Sequence, residues 1–454
     1  MNKNIAKVLQ ILVSIFLMNI MFTLRGFGQT AYEGYYLRSA NYPSFGNLWT
    51  PAPFGDGESQ GVTHDDDNWY FTWTYNNVGY LWKVPVDVPL DNNVLQNPRV
   101  AIVDMTQFPD LNKYWHWGDP DHYKDKNSGT DYIVIPITGG GIPIIAIFRA
   151  NLSLVAYAKL NQQQSTGWCA IHPQTGELYT SEDFDYASGP SPCSNNCDNQ
   201  DFHCLYPRLL LLYSIPWDTF PSSGYIGEIA LTYIGSEELL TGDGGQMELY
   251  NMQGGEFTDS GELLYIVCGS GCCAGNGAGQ QYALDGLYVF DTQTWRAIKR
   301  SYNHDGRFPH TNLPKYFDYY YPLGCDGAGS WSPEGLTIWD LDNGRAPNIT
   351  GQLHVLLFKF RVFGENREVF EHFGGRLYVD PVNGIDQPLP ANFGDDPLPG
   401  GLLTPYRTFG YSFSGYPVWD GAEIVLKAGS YPETGTFSKR VRITSQGGAA
   451  IVGQ

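Results

Sequence analysis

An all-β fold is predicted for this 454-residue chain by three observations. The 53 Gly and 29 Pro are spread without period, and hydrophobic residues make up 42%, a composition suited to many strands joined by turns. No run of apolar residues at i, i+3, i+4 spacing stands out beyond about the first 25 residues. One unit of sequence also recurs. Its clearest copy is SPEGLTIWDLDNGRAPNITGQLHVLLFKF, Ser332 to Phe360: a Glu-Gly pair, a short apolar strand, a turn rich in Asp, Asn and Gly, and a second alternating strand.

Four earlier segments have the same order of parts. Gln60-Gly61 leads to NWYFTW, His116-Trp117-Gly118 to DYIVIPI, Trp168-Cys169-Ala170 to ELYTSE, and Gln253-Gly254-Gly255 to ELLYIV. From Gly61 to Trp69, Ala170 to Leu178 and Gly255 to Leu263 the step is the same. A repeat of strands cannot bury its own apolar face and needs neighbours, in a propeller or a solenoid. Intervals of about 50 to 85 residues suit four-stranded blades. The sequence therefore predicts a β-propeller over 30–362, of five blades, with six or seven as alternatives.

Taken in order, residues 1–28 read as a secretory signal peptide. Lys3 and Lys7 precede an apolar run, and Gly26-Phe27-Gly28 offers small residues for cleavage before Gln29. The protein is expected to be secreted, or periplasmic, with no membrane span after cleavage. The aromatic stretch within 30–50 is expected to complete the last blade and close the ring. Three strands follow the second marker in succession, DYIVIPI, PIIAIFRA and LSLVAYAKL, as in one blade.

Residues 363–376 read as a connector, and the grammar then changes. Tyr378-Val379-Asp380 with Gly384 and Asp386, Pro405 with Thr408, Ile424-Val425-Leu426 before Ala428-Gly429, Tyr431 with Glu433, and Ile451-Val452-Gly453 follow one another. This segment, 377–454, resembles the opening of pectate-lyase-like right-handed β-helices. The resemblance implies a short parallel β module. It holds about one coil, so the catalytic groove of that family, which sits on later coils, and lyase activity are not implied.

A net charge of -20 argues against nucleic acid as a partner and fits a secreted protein that holds cations. Eight cysteines in an exported chain point to disulfides. Cys193, Cys197 and Cys204 crowd one loop and Cys268, Cys272 and Cys273 another, so a bridge is expected to leave each, with Cys169 and Cys325 as candidates. Zinc on three cysteines with His203 would lack the usual Cys-x2-Cys pairing.

Innermost strands of a propeller converge on its axis. That placement would bring Gln60, His116, Asp119, Cys169, Gln253, Glu256 and Glu334 together, with Gly61, Gly118, Gly255 and Gly335 allowing close approach. Oxygen ligands from Gln60, Asp119, Gln253, Glu256 and Glu334 would suit Ca2+; alternatively these side chains satisfy backbone groups and water. Glu334-Gly335 also resembles the channel-lining Glu-Gly of calcium-dependent propeller enzymes such as lactonases and phytase-like and apyrase-like proteins. His116, Asp119, Asp121 and His122, with Glu334, are the candidate catalytic groups. Asp125, Asn127, Gly129 and Asp131 have calcium-loop spacing without the closing Glu, and His64 to Asp67 reads as a solvated turn.

Of the 31 Tyr, four stand in one insertion: Tyr316, Tyr319, Tyr320 and Tyr321, placed to stack on sugar rings. No P-loop, dinucleotide fingerprint or His-Glu-x-x-His occurs. Two readings follow: a secreted protein that recognises an extracellular glycan or surface partner, and a calcium-dependent hydrolase or lyase acting at the channel.

Overall fold

The computed structural model describes residues 37–38, 58–91, 93–182, 209–247, 249, 252–268, 286–303, 319–321, 329–361, 367–374, 376–386, 405–410, 423–433 and 441–453. The signal-peptide segment, the loop cysteines Cys193, Cys197, Cys204, Cys272, Cys273 and Cys325, His203 and Tyr316 lie outside them. The described residues fall into two compact units, one within 38–374 and one within 375–454.

The larger unit is a β-propeller. Strand β1 (Leu37–Arg38) is followed by β2 (Glu58–His64), β3 (Asn68–Tyr75), β4 (Val78–Pro85) and β5 (Ala101–Asp104), the last four making an antiparallel meander. The next sheet holds β6 (His116–Trp117) and β7 (Asp121–Lys124), which both pair with β8 (Asp131–Thr138), then β9 (Ile144–Arg149) and β10 (Leu154–Lys159). A third sheet runs β11 (Cys169–Ile171), β12 (Glu177–Thr180), β13 (Leu209–Ser214) and β15 (Thr232–Glu238), while β14 (Gly227–Ile229) joins β10 in parallel. In the fourth, β16 (Met252–Phe257), β17 (Leu263–Cys268), β18 (Gly286–Asp291), β19 (Arg296–Asn303) and β20 (Tyr319–Tyr321) lie side by side. The last is β21 (Gly329–Ile338), β22 (Leu353–Arg361) and β23 (Arg367–Gly374), with β1 beside β23, the place the sequence assigns to the amino-terminal strand.

The inner strands β2, β7, β11, β16 and β21 touch in that order, and β21 touches β2, so the ring closes. Aromatic and β-branched residues fill the wedges between sheets, as on half-buried pleated surfaces. Trp69, Phe71, Trp73 and Trp82 pack against Trp339, Leu356 and Phe370, and Trp168, Leu210 and Leu239 against Leu264, Ile266 and Tyr288. The ring keeps most strand edges paired or short, which limits edge-to-edge association.

Two expectations are corrected. The connector assigned to 363–376 carries β23, paired antiparallel with β22 from Leu353↔Phe373 to Lys359↔Arg367. Its Glu and His residues break the apolar alternation; His372 is nonetheless buried against Phe370 and His354. Cys169 and Cys268, both expected to take part in disulfides, are buried thiols, and the Cys169 sulfur lies 3.4 Å from the Val134 carbonyl. Each is packed into an apolar cluster between sheets, Cys169 beside Ile171 and Leu178 and Cys268 beside Leu264 and Ile266.

In the smaller unit β24 (Arg376–Val379), β25 (Glu423–Tyr431) and β26 (Arg442–Val452) form a parallel sheet, Ile424 facing Leu377 on one side and Ile443 on the other, with a register shift against β26 between Lys427 and Gly429. Asp380 fixes the turn after β24. It accepts from the Val382 and Asn383 amides at 3.0 Å each and from Lys427 Nζ at 2.8 Å. Asp386 accepts from the Arg407 and Thr408 amides in the same way.

Candidate functional site at the propeller axis

The axis is organised around one carboxylate. In β2, β16 and β21 the pairing register shifts at Gln60, Gln253 and Glu334, each one residue before a glycine. Such bulges re-aim the chain. They bring Gly61, Gly254 and Gly335 against Asp119: a Cβ on Gly335 would lie 2.1 Å from Asp119 Oδ1 and 2.7 Å from the Gly61 Cα. A Cβ on Gly254 would lie 2.6 Å from the Gly335 Cα, so only glycine fits at these three positions.

Asp119 is fully buried and accepts from the Val62 amide at 2.8 Å and the Gly255 amide at 3.2 Å. Its own backbone joins the next strand, its amide donating to the Gly167 carbonyl at 2.8 Å. Burial pushes its carboxyl well above the ordinary range, and the Glu256 and Asp121 charges add to this. Asp119 therefore ties the inner strands of several sheets together through backbone donors, the structural role its type allows.

On one side of this plug the inner strands end around a cleft of about 520 Å³. His64, Asp121, His122, Lys124, Gln174 and Glu256 are among its lining residues, with Tyr123 and Phe257 as aromatic wall. Asp121 is held by the Ile171 amide at 2.5 Å and the His122 amide at 2.7 Å. Burial still pushes its carboxyl up to about 7. Glu256 is raised well above its usual range by burial first and the Asp121 charge second, against the pull of the Thr337 hydroxyl and the Ile338 amide.

The histidines differ. His122 Nε2 meets Asp131 Oδ1 at 2.9 Å, so a carboxylate orients an imidazole at the cleft wall. His64 stacks on Trp339 with centroids 4.3 Å apart, and burial lowers its pKa to about 4. The turn after it is not a solvated one. Asp65 is buried, accepting from the Asp67 and Asn68 amides and from the Tyr70 hydroxyl at 2.6 Å.

The structure thus brings Asp121, His122 and Glu256 to the cleft and keeps Asp119 beneath it. Gln60 is buried with its amide 3.4 Å from Glu58 Oε2, Gln253 is half-buried and Glu334 is buried. His116 stands in β6 against Trp115, with its pKa lowered to about 4 by burial, and is not among the cleft residues. Asp125 accepts from its own turn, at Ser128 Oγ and the Asn127 and Ser128 amides. Tyr319, Tyr320 and Tyr321 form β20, parallel to Ser301–Asn303. The sequence reading did not single out Thr63, Lys124, Gln174 or Thr337. Aligning the repeats on Gly61, Gly254 and Gly335 would have exposed Thr63 and Thr337; the equal eight-residue step set Gly255 in register instead.

Neither a protein-family model nor a curated protein matches the chain. Among solved structures it is similar to Myxococcus xanthus glutaminyl cyclase, at 10% identity over 75% of this chain and 95% of that one, with a TM-score of 0.34. It is similar to the Dos1 propeller, at 10% identity over 70% of each chain and a TM-score of 0.30. An exo-β-1,3-galactanase from Clostridium thermocellum matches at 9% identity over 75% of this chain and 66% of that one, with a TM-score of 0.36. At these scores none of the three bears on what the protein does. Among the described residues no helix is long and apolar enough to cross a membrane.

Proposed function

We propose that this protein is a secreted five-bladed propeller that binds an extracellular glycan in the axial cleft, carries a calcium ion on its axis, and ends in a β-helix-like module. The carrying observation is the cleft itself: about 520 Å³, with acceptors Asp121 and Glu256, donors Lys124 and His122, the amide of Gln174, and the rings of Tyr123 and Phe257. Sugars offer hydroxyls to polar groups and C–H faces to aromatic rings, and concave sites with a few convergent polar groups are where ligands bind. The acidic lining and the chain's charge of -20 favour neutral or cationic sugars over anionic ones.

The test is a titration of the purified protein with neutral and amino-substituted oligosaccharides by calorimetry. Binding that Gln174→Ala and Lys124→Ala weaken supports the reading. An absence of binding across the set, or binding unchanged in both variants, removes it.

The His122–Asp131 pair favours a second reading, hydrolysis or elimination with His122 as general base, because a carboxylate-oriented imidazole at a cleft wall is the usual arrangement for proton transfer. Release of reducing or unsaturated ends from the bound sugar, lost in His122→Ala, would establish it; a sugar recovered intact would leave binding alone.

A further inference from the structure

Along a strand, side chains two places apart share a face. The missing side chains of Gly61, Gly254 and Gly335 would point at Asp119 and at one another, so they mark the direction of the axis. Two places on stand Thr63, Glu256 and Thr337, and no register shift intervenes in any of the three strands. Two places beyond Asp119 stands Asp121. These four residues form the next tier along the axis; Asp121 and Glu256 line the cleft, while Thr63 and Thr337 lie buried outside its lining.

Every side chain in this tier ends in oxygen. Thr63 and Thr337 are wholly buried, and among the described residues neither hydroxyl has a hydrogen-bond partner. The Thr337 hydroxyl lies beside Glu256 but makes no hydrogen bond of ordinary geometry with it. Buried hydroxyls are ordinarily paired, so two unpaired ones at one level of one axis call for a common occupant. Asp121 and Glu256 also bring two carboxylates to one cleft, where like charges repel. A cation answers both conditions: it accepts lone pairs from hydroxyls and neutralises adjoining carboxylates.

We propose that Thr63, Asp121, Glu256 and Thr337 bind one calcium ion on the propeller axis. Two carboxylates, two hydroxyls and water from the open cleft make up the six to eight oxygens that calcium takes, in the irregular geometry it tolerates and magnesium does not. No three His, Cys, Asp or Glu side chains among the described residues group to hold a metal, which leaves zinc without its usual donors; the tier relies on hydroxyls instead. Gln60, Gln253 and Glu334, expected as ligands, precede the glycines that crowd Asp119 and do not belong to this tier. The proposal rests on the axial calcium proposed above and names its ligands; its test uses no glycan, so the calcium site and glycan binding can fail separately.

The experiment is calorimetry and thermal melting of chelator-treated full-length protein, titrated with calcium and separately with magnesium. One calcium per chain, a rise in Tm of several degrees at 1 mM calcium, and weaker binding of magnesium are expected. Thr63→Val and Thr337→Val keep shape and lose the hydroxyl, and each is expected to weaken calcium at least tenfold, with Thr→Ser at either position retaining it. No calcium binding up to 1 mM in the wild type overturns the proposal, whatever the variants do. Valine variants that bind as tightly as the wild type overturn it too.

Discussion

Gly335→Ala tests whether the crowding at the axis is real. The new methyl would stand 2.1 Å from Asp119 Oδ1 and 2.7 Å from the Gly61 Cα, where ordinary contact needs roughly 3.5 Å, so β21 or Asp119 must move by more than about 1 Å. Overpacking costs roughly 1–3 kcal/mol. Displacing Asp119 also weakens its bonds from Val62 and Gly255, at about 0.5–1.5 kcal/mol each. The expected destabilisation is about 3–5 kcal/mol, read as a lower urea midpoint at unchanged slope. Gly61→Ala presses on the same carboxylate, with its methyl 2.4 Å from Asp119 Oδ1. Once one methyl has opened the axis the second costs less, so the double variant should fall short of the sum by at least about 0.5 kcal/mol. A loss below about 1 kcal/mol in either single variant, or full additivity, would refute this account of the axis.

Asp119→Ala should cost more than Asp119→Asn, by roughly 1–3 kcal/mol in urea unfolding, because asparagine keeps one acceptor for the Val62 or Gly255 amide and alanine keeps none. Equal losses would show that those amides are not the point. Burial lowers the folded pKa of His116 to about 4 and of His354 to about 3, against 6.5 when free. Both are neutral when folded, so their contribution is whole above about pH 6.5 and is lost as the pH falls toward 4, by several kcal/mol in all. A midpoint flat from pH 7 to 4.5 would contradict this, and His116→Phe should shallow the slope. In the smaller unit the Lys427 ammonium and turn amides hold the Asp380 carboxyl below its usual range against the opposing effect of burial. Its stabilisation is present above about pH 4 and fades as the pH falls. Lys427→Met should leave a buried carboxylate without its cation and cost about 1–3 kcal/mol; hydrogen exchange of the Val382 and Asn383 amides measures it.

How far the sequence carried varies with the part of the molecule. NWYFTW, DYIVIPI and ELLYIV read as strands from their own residues, and each is one. The markers at Gly61 and Gly335 pointed to close approach at an axis, and they do meet there. REVFEHFG did not read as a strand, because its Glu and His residues hide the alternation and His372 is buried only through Phe370 and His354. His64 looked like part of a solvated turn, since nothing near it in sequence announces Trp339, 275 residues on, as its stacking partner.

The sequence by itself determined the all-β class, the repeated strand-turn-strand unit and the need for that unit to find neighbours. These follow from alternation, turn residues and glycine, which act over a few positions. Only the tertiary structure decided which side chains share the axis. Thr63, Asp119, Asp121, Glu256 and Thr337 come from four sheets, and whether a hydroxyl at any of them is idle or a ligand depends on ring closure and on bulges at Gln60, Gln253 and Glu334. Convergence of distant strands is set by packing, and no local pattern encodes it.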